Sequence, residues 1–197
     1  MDSISTIEAW KKIKSLDVKL LTSVEVGKMW KIKNANTAYK MLQRWEKNGL
    51  LKRIAKGKYL PADRNLNEFE IANLLVPSSY ISFESALSFY GILSQFSYVI
   101  TSATTAKSRK LEIDNKDFEF THILPTLFWG YRQVNSALAA GPEKAMIDIA
   151  YLASKGLRKI DPAEWDLTGV NKKTLRQYCR QVDYLPFRRL AANLKWT

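Results

Sequence analysis

Apolar and polar positions alternate with a helical period through the first quarter of the chain. Ala38, Met41, Leu42 and Trp45 fall on one face of a helix, and Asn36, Lys40, Gln43 and Lys47 fall on the opposite face. Asn48-Gly49 ends that helix, because glycine takes the left-handed conformation of a helix C-terminus at little steric cost. Upstream, Ile4, Ile7, Trp10 and Ile13 recur every three residues and predict a first helix. Thr22 and Glu25 have capping-box spacing, and Val26, Met29 and Trp30 supply the apolar face of a second helix from Ser23 to Trp30. Lys31-Ile32-Lys33-Asn34 is then a turn. Beyond Gly49 the texture becomes that of a hairpin: Leu50 to Ala55 as one strand, Lys56-Gly57 as a tight turn, Lys58-Tyr59-Leu60 as the return.

Pro61-Ala62-Asp63-Arg64-Asn65 is polar and turn-prone and is read as a linker, which divides the chain into residues 1–64 and 65–197. In the second part Glu68 to Val76 is helical in pattern and Pro77 stops it. Ser82 can cap a helix from Phe83 to Tyr90, with Gly91 as its end. β-Branched and aromatic residues then predict strands at Tyr98–Thr101, Lys110–Ile113, Phe118–Ile123 and Phe128–Tyr131, with a hairpin turn at Asp114-Asn115. Phe118, Phe120 and His122 alternate with Glu119, Thr121 and Ile123, consistent with one better-buried sheet face. Gly141-Pro142-Glu143 starts a buried helix in which Lys144 and Asp148 are expected to mark an exposed or paired edge. Further helices are expected near Lys172 to Val182 and Phe187 to Leu194. The expected fold class is α+β: an N-terminal winged helix-turn-helix, then a mixed α+β domain with a mostly antiparallel sheet and C-terminal helices. Neither an internal repeat nor a low-complexity segment is visible.

Charge sharpens the reading of the first part. The net charge is +12, but residues 1–64 hold 15 Lys+Arg against 6 Asp+Glu, residues 65–150 hold 6 against 9, and residues 151–197 hold 10 against 4. A basic block that coincides with a helix, a glycine stop and a basic hairpin points to double-stranded DNA as partner. The amides of Asn36 and Gln43 can pair with adenine edges, and Lys40 and Lys47 can meet guanine or phosphate. Asn34, Thr37 and Arg44 flank that face, while Arg53, Lys56 and Lys58, with Lys52, would lie along a phosphate backbone. The C-terminal cluster Arg176, Arg180, Arg188 and Arg189 reads equally as a second nucleic-acid surface or as a solvated face. Hydrophobic residues at 46% and charged residues at 25% mark a globular chain, and its apolar runs are too short to span a bilayer. The N-terminus lacks the basic-then-apolar order of a signal peptide, so a cytoplasmic location is expected. The single cysteine, Cys179, excludes an internal disulfide and offers no CxxC pair.

Several phrases resemble the AbiEi family of bacterial abortive-infection systems. They are Leu42, Gly49-Leu50-Leu51 and Gly57-Lys58-Tyr59; then Tyr80-Ile81-Ser82, Ser85-Ala86-Leu87 and Tyr90-Gly91; and last Phe128-Trp129-Gly130-Tyr131 and Pro142-Glu143-Lys144-Ala145 to Asp148. The resemblance implies an antitoxin of a type IV toxin–antitoxin system that represses its own promoter through inverted repeats. It also implies that the second domain counteracts a nucleotidyltransferase-type toxin without a stable complex. Two alternatives stand beside it: a DNA-binding domain fused to a metal-dependent nuclease, and a plain transcriptional regulator. The nuclease would draw on Asp114, Asp117 and Glu119, but Glu119-Phe120-Thr121 lacks the lysine of a Glu-x-Lys strand. His122, the only histidine, sits in an alternating strand and reads as a core or sheet residue. No enzyme activity, cofactor or metal is expected, and no glycine-rich phosphate loop is present.

Overall fold

A computed structural model describes residues 4–95 and 97–196 and shows a mixed α+β protein. The chain divides into two compact units, Met1–Leu66 and Asn67–Thr197. Among the described residues no helix is long and apolar enough to cross a membrane.

The first unit has three helices, α1 (Thr6–Ser15), α2 (Ser23–Trp30) and α3 (Ala35–Lys47), and a hairpin of β1 (Leu51–Ala55) and β2 (Lys58–Pro61). Each helix begins on a side-chain cap. Ser5 with Glu8 and Thr22 with Glu25 form capping boxes, and Asn34 Oδ1 accepts from the Asn36 and Thr37 amides. Each such cap contributes about 1 kcal/mol by occupying helix N–H groups that have no intrahelical acceptor. The three helices bury Ala9, Ile13, Val26, Ala38, Leu42 and Trp45 against Leu50, Leu51 and Tyr59. Leu21 joins the hairpin through a reciprocal pair of backbone bonds with Tyr59, 2.8 and 2.9 Å long. One expected core position is overturned: Ile7 is 68% exposed. A repeat of three slips backward around a helix that needs 3.6 residues per turn, so Ala9, four before Ile13, takes the buried place instead. Asp63 and Arg64, read as linker, are tied back to this unit by ion pairs to Lys14 and Asp17.

The second unit is built on a six-stranded sheet. Its strands are β3 (Ser79–Ile81), β4 (Ile100–Thr104), β5 (Arg109–Ile113), β6 (Lys116–His122), β7 (Tyr131–Val134) and β8 (Ala137–Ala140), in the order β5-β6-β4-β3-β8-β7. Three neighbouring pairs are antiparallel and two, β4 with β6 and β3 with β8, are parallel. The sheet is therefore mixed. Around it lie α4 (Glu68–Leu75), α5 (Phe83–Phe89), α6 (Pro142–Ser154), α7 (Lys172–Gln181) and α8 (Leu185–Asn193). α4 packs on β3, β4 and β8, α5 packs on β4 and α6, and α6 carries α7 and α8.

Several elements differ from the pattern reading. The short strands β3 and β8 carry no alternation long enough to be recognised. β4 begins at Ile100, so Tyr98 and Val99 lie outside it. Phe128, Trp129 and Gly130 are not strand: they follow a 3₁₀ turn at Pro125–Leu127, and Gly130 has φ +72°. On β6, Phe118 and Phe120 are buried but His122 is exposed at the strand end, with its Nδ1 3.1 Å from the Ala106 carbonyl oxygen. The Asp114-Asn115 turn is as expected, with positive φ at both residues.

Candidate nucleic-acid interface

α3 presents the polar stripe that its spacing requires. Asn36, Lys40, Gln43 and Lys47 are all exposed, and Ala38, Leu42 and Trp45 on the opposite side are completely buried. Burying Leu42 and Trp45 stabilises the helix by about 1.5–3 kcal/mol for each side chain, and it fixes the rotation about the helix axis that keeps the stripe outward. Among the described residues none of the four polar side chains has a hydrogen-bond or ion-pair partner, so their donors and acceptors face solvent. Trp30 rests on Trp45 at a centroid distance of 5.0 Å and locks α2 against α3.

Three flanking residues have internal tasks. Asn34 is the α3 cap, so its side-chain oxygen is engaged 2.9 Å from the Asn36 amide. Thr37 is half-buried on the flank of the stripe. Arg44 Nη2 donates a 2.6 Å bond to the Ile4 carbonyl oxygen and so ties α3 to the start of α1.

The hairpin turns at Lys56-Gly57, with positive φ at Gly57 and a register irregularity between Arg53 and Ala55. Lys56 is exposed, Lys58 is half-buried, and Arg53 is exposed with its Nε–H donating to the Ala55 carbonyl oxygen at 3.3 Å. Leu51, Ile54, Tyr59 and Leu60 anchor the hairpin by burial, leaving the cationic side chains on its solvent side. Three lysines that pattern reading left in or beside a plain turn also belong to this end of the unit. Lys28, Lys31 and Lys33 surround a concavity of about 470 Å³ that reaches Ala35 at the start of α3. The signal for them was the density of lysine in the turn.

The second unit brings together residues of a different kind. Lys144 and Asp148, one helical turn apart on α6, are ion-paired with neither side chain exposed. The expectation of an exposed edge fails because α6 is covered over ten consecutive residues, Glu143 to Leu152. Asp148 Oδ2 also accepts from the Tyr80 hydroxyl at 2.9 Å and the Ser82 hydroxyl at 2.7 Å. The Lys144 ammonium lies 4.7 Å from the Trp129 ring centroid. Burial pulls the Lys144 ammonium below the ordinary lysine value, and Asp148 opposes that pull. Burial, then the neighbouring Asp148 charge, pushes the Tyr80 phenol far above its usual range. Ser82 occupies the N-cap position of α5 without capping it, because its hydroxyl is drawn to Asp148. Phe83 follows at φ +55°, a conformation costing about 1–3 kcal/mol. It is held there by Thr101 Oγ1 donating to the Ser82 carbonyl oxygen and accepting from the Ser85 amide.

The remaining candidates separate. Glu119 is engaged by Arg158 and Lys110, whereas Asp114 sits in a turn and Asp117 is exposed. Among the described residues no group of three or more His, Cys, Asp or Glu is placed to hold a metal ion. Cys179 is buried on α7, and burial pushes its thiol up to about 11, so it is protonated near neutral pH. Arg176 and Arg180 are exposed on α7 and Arg189 on α8, while Arg188 pairs with Asp183 at 3.0 Å. No protein-family model matches the chain, and no curated protein matches it.

Proposed function

We propose that the chain is a sequence-specific DNA-binding protein whose first unit acts as a winged helix-turn-helix, with α3 in a major groove and the β1–β2 hairpin on the backbone. The observation that carries this reading is the outward stripe Asn36-Lys40-Gln43-Lys47, free of internal partners and set opposite a fully buried face. Amide side chains on such a stripe can make paired hydrogen bonds to adenine, and the lysines add guanine or phosphate contacts. The hairpin cations contribute affinity and register with little direct sequence information.

The likeness to AbiEi antitoxins extends the proposal to biology: repression of the protein's own promoter, and neutralisation of a nucleotidyltransferase-type toxin by the second unit. The support for treating the second unit as one functional body is that the separated phrases Tyr80–Ser82, Phe128–Tyr131 and Glu143–Asp148 meet around the Lys144–Asp148 pair.

Retention of the protein's own promoter fragment, against random competitor DNA, tests the first part. Binding that does not distinguish the two would reduce the protein to a general DNA binder, and metal-dependent plasmid cleavage would favour a nuclease. Co-expression of the full chain with the product of an adjacent nucleotidyltransferase reading frame tests the second part. Growth rescue is expected, and repression without rescue would leave a plain regulator.

A further inference from the structure

We propose that the lysine-rimmed concavity between α2 and α3 is a second seat for the DNA backbone, taking one phosphate and its deoxyribose at the N-terminal end of α3. The inference rests on the DNA-binding reading of the first unit and adds residues that the stripe and hairpin do not include.

The concavity has an apolar floor of Val24, Gly27 and Ala35, and Lys28, Lys31 and Lys33 on its rim. Val24 is 58% exposed, an apolar side chain that folding leaves facing solvent among lysines. Among the described residues none of the three lysines has an ion-pair partner, and the first turn of α3 contains no acidic residue. An anion at this point meets three cations and the positive end of a helix of thirteen residues, with no carboxylate of α3's first turn opposing it. An apolar floor beneath a cationic rim suits a sugar-phosphate unit, whose deoxyribose is apolar and whose phosphate is charged.

Lys31 supplies an independent argument. It is the C-cap of α2 with φ +54°, a left-handed conformation that glycine or asparagine adopts with less strain. The turn closes tightly here: the Ile32 amide donates to the Gly27 carbonyl oxygen at 2.8 Å, and a Cβ on Gly27 would stand 3.0 Å from the Ile32 oxygen. A lysine in the position of this turn where glycine fits best keeps a cation at the rim at the expense of backbone strain. Strain of this kind is retained where a side chain has a task beyond folding.

The placement also suits the groove. α3 is about 20 Å long at 1.5 Å per residue, and the major groove is about 12 Å wide. Anchors at the two ends of α3, the α2–α3 turn before it and the hairpin after it, would engage the backbones on both sides of one groove. The helix would then be held at a fixed depth.

The test compares the full-length wild type with Lys31→Gly and Lys31→Gly/Lys33→Ala on a duplex that the wild type selects from a random pool, across a range of salt concentrations. Lys31→Gly is expected to melt at the same or a higher temperature and yet to bind the duplex about three- to tenfold more weakly. The double variant should flatten the dependence of log K on log salt by about 0.9 for each lost contact. Replacing single phosphates by neutral methylphosphonates should reveal one position that weakens the wild type and leaves the double variant unaffected. Variants with wild-type affinity and salt slope would overturn the proposal, as would a Lys31→Gly protein that melts lower and loses binding only in proportion to unfolding. If the wild type selects no duplex, the DNA-binding reading itself fails.

Discussion

The Tyr80 hydroxyl donates a 2.9 Å hydrogen bond to Asp148 Oδ2 across 68 residues of chain, and both side chains are completely buried. With Ser82 and Lys144 as further donors, this carboxylate joins β3 to α6 at the centre of the second unit. Replacing Lys144 with Met would leave Asp148 buried without its cation, so a loss of about 3–5 kcal/mol is expected in urea unfolding. Making position 148 apolar as well should not restore wild-type stability, since the Tyr80 and Ser82 hydroxyls would lose their acceptor at about 1–3 kcal/mol each. A Lys144→Met protein within 1 kcal/mol of wild type would show that the pair does not hold the unit together.

Two glycines separate backbone strain from close approach. Gly130 and Gly156 have φ of +72° and +71°, but a Cβ would lie 3.0 Å from Lys144 Cγ and Cδ at Gly130 and meet nothing within 4 Å at Gly156. Gly156→Ala should therefore lose only the left-handed penalty of about 1–2 kcal/mol, and Gly130→Ala should lose clearly more. Equal losses in denaturant unfolding would mean that Lys144 yields freely to the added methyl.

On DNA, α3 and the hairpin should respond differently. Asn36→Ala or Gln43→Ala should cost about 1–3 kcal/mol on a selected site and relax base preference there. Lys56→Ala should weaken all DNA similarly and reduce the salt slope. Competition assays with matched and random duplexes distinguish these outcomes, and a base-specific loss from Lys56→Ala would contradict the division of tasks.

Arg44 belongs with stability instead. Its bond to the Ile4 carbonyl oxygen predicts that Arg44→Ala lowers the melting temperature modestly and leaves base discrimination intact. Altered discrimination with an unchanged melting temperature would place Arg44 in the reading face.

Acid should loosen the first unit. Hydrogen bonds from Ser5 hold the Glu8 carboxyl below its usual range, and the Arg64 guanidinium does the same for Asp17. For a carboxyl lowered in the folded state, the stabilisation is complete above its unfolded pKa and disappears as pH falls through the folded one. Melting temperature should therefore fall below about pH 4. Both groups are solvent-facing, so added salt should weaken the Asp17 contribution. An Arg64→Ala variant with an unaltered acid limb would remove Asp17 from the account.

Local order was legible in the residues themselves. The Thr22–Glu25 box, the Asn48-Gly49 stop, the Lys56-Gly57 and Asp114-Asn115 turns and the two faces of α3 all follow from interactions within a few residues, where propensity and periodicity act directly. Ile7 escaped because a slipping three-residue repeat does not specify which side chain reaches the core. Sheet order, the parallel pairing of β3 with β8, and the convergence of Tyr80, Ser82, Trp129, Lys144 and Asp148 were decided by tertiary structure alone. A lysine and an aspartate one turn apart look the same on an exposed helix edge as in a core. Only the elements packed over α6 exclude water, and that exclusion makes the pair a buried junction.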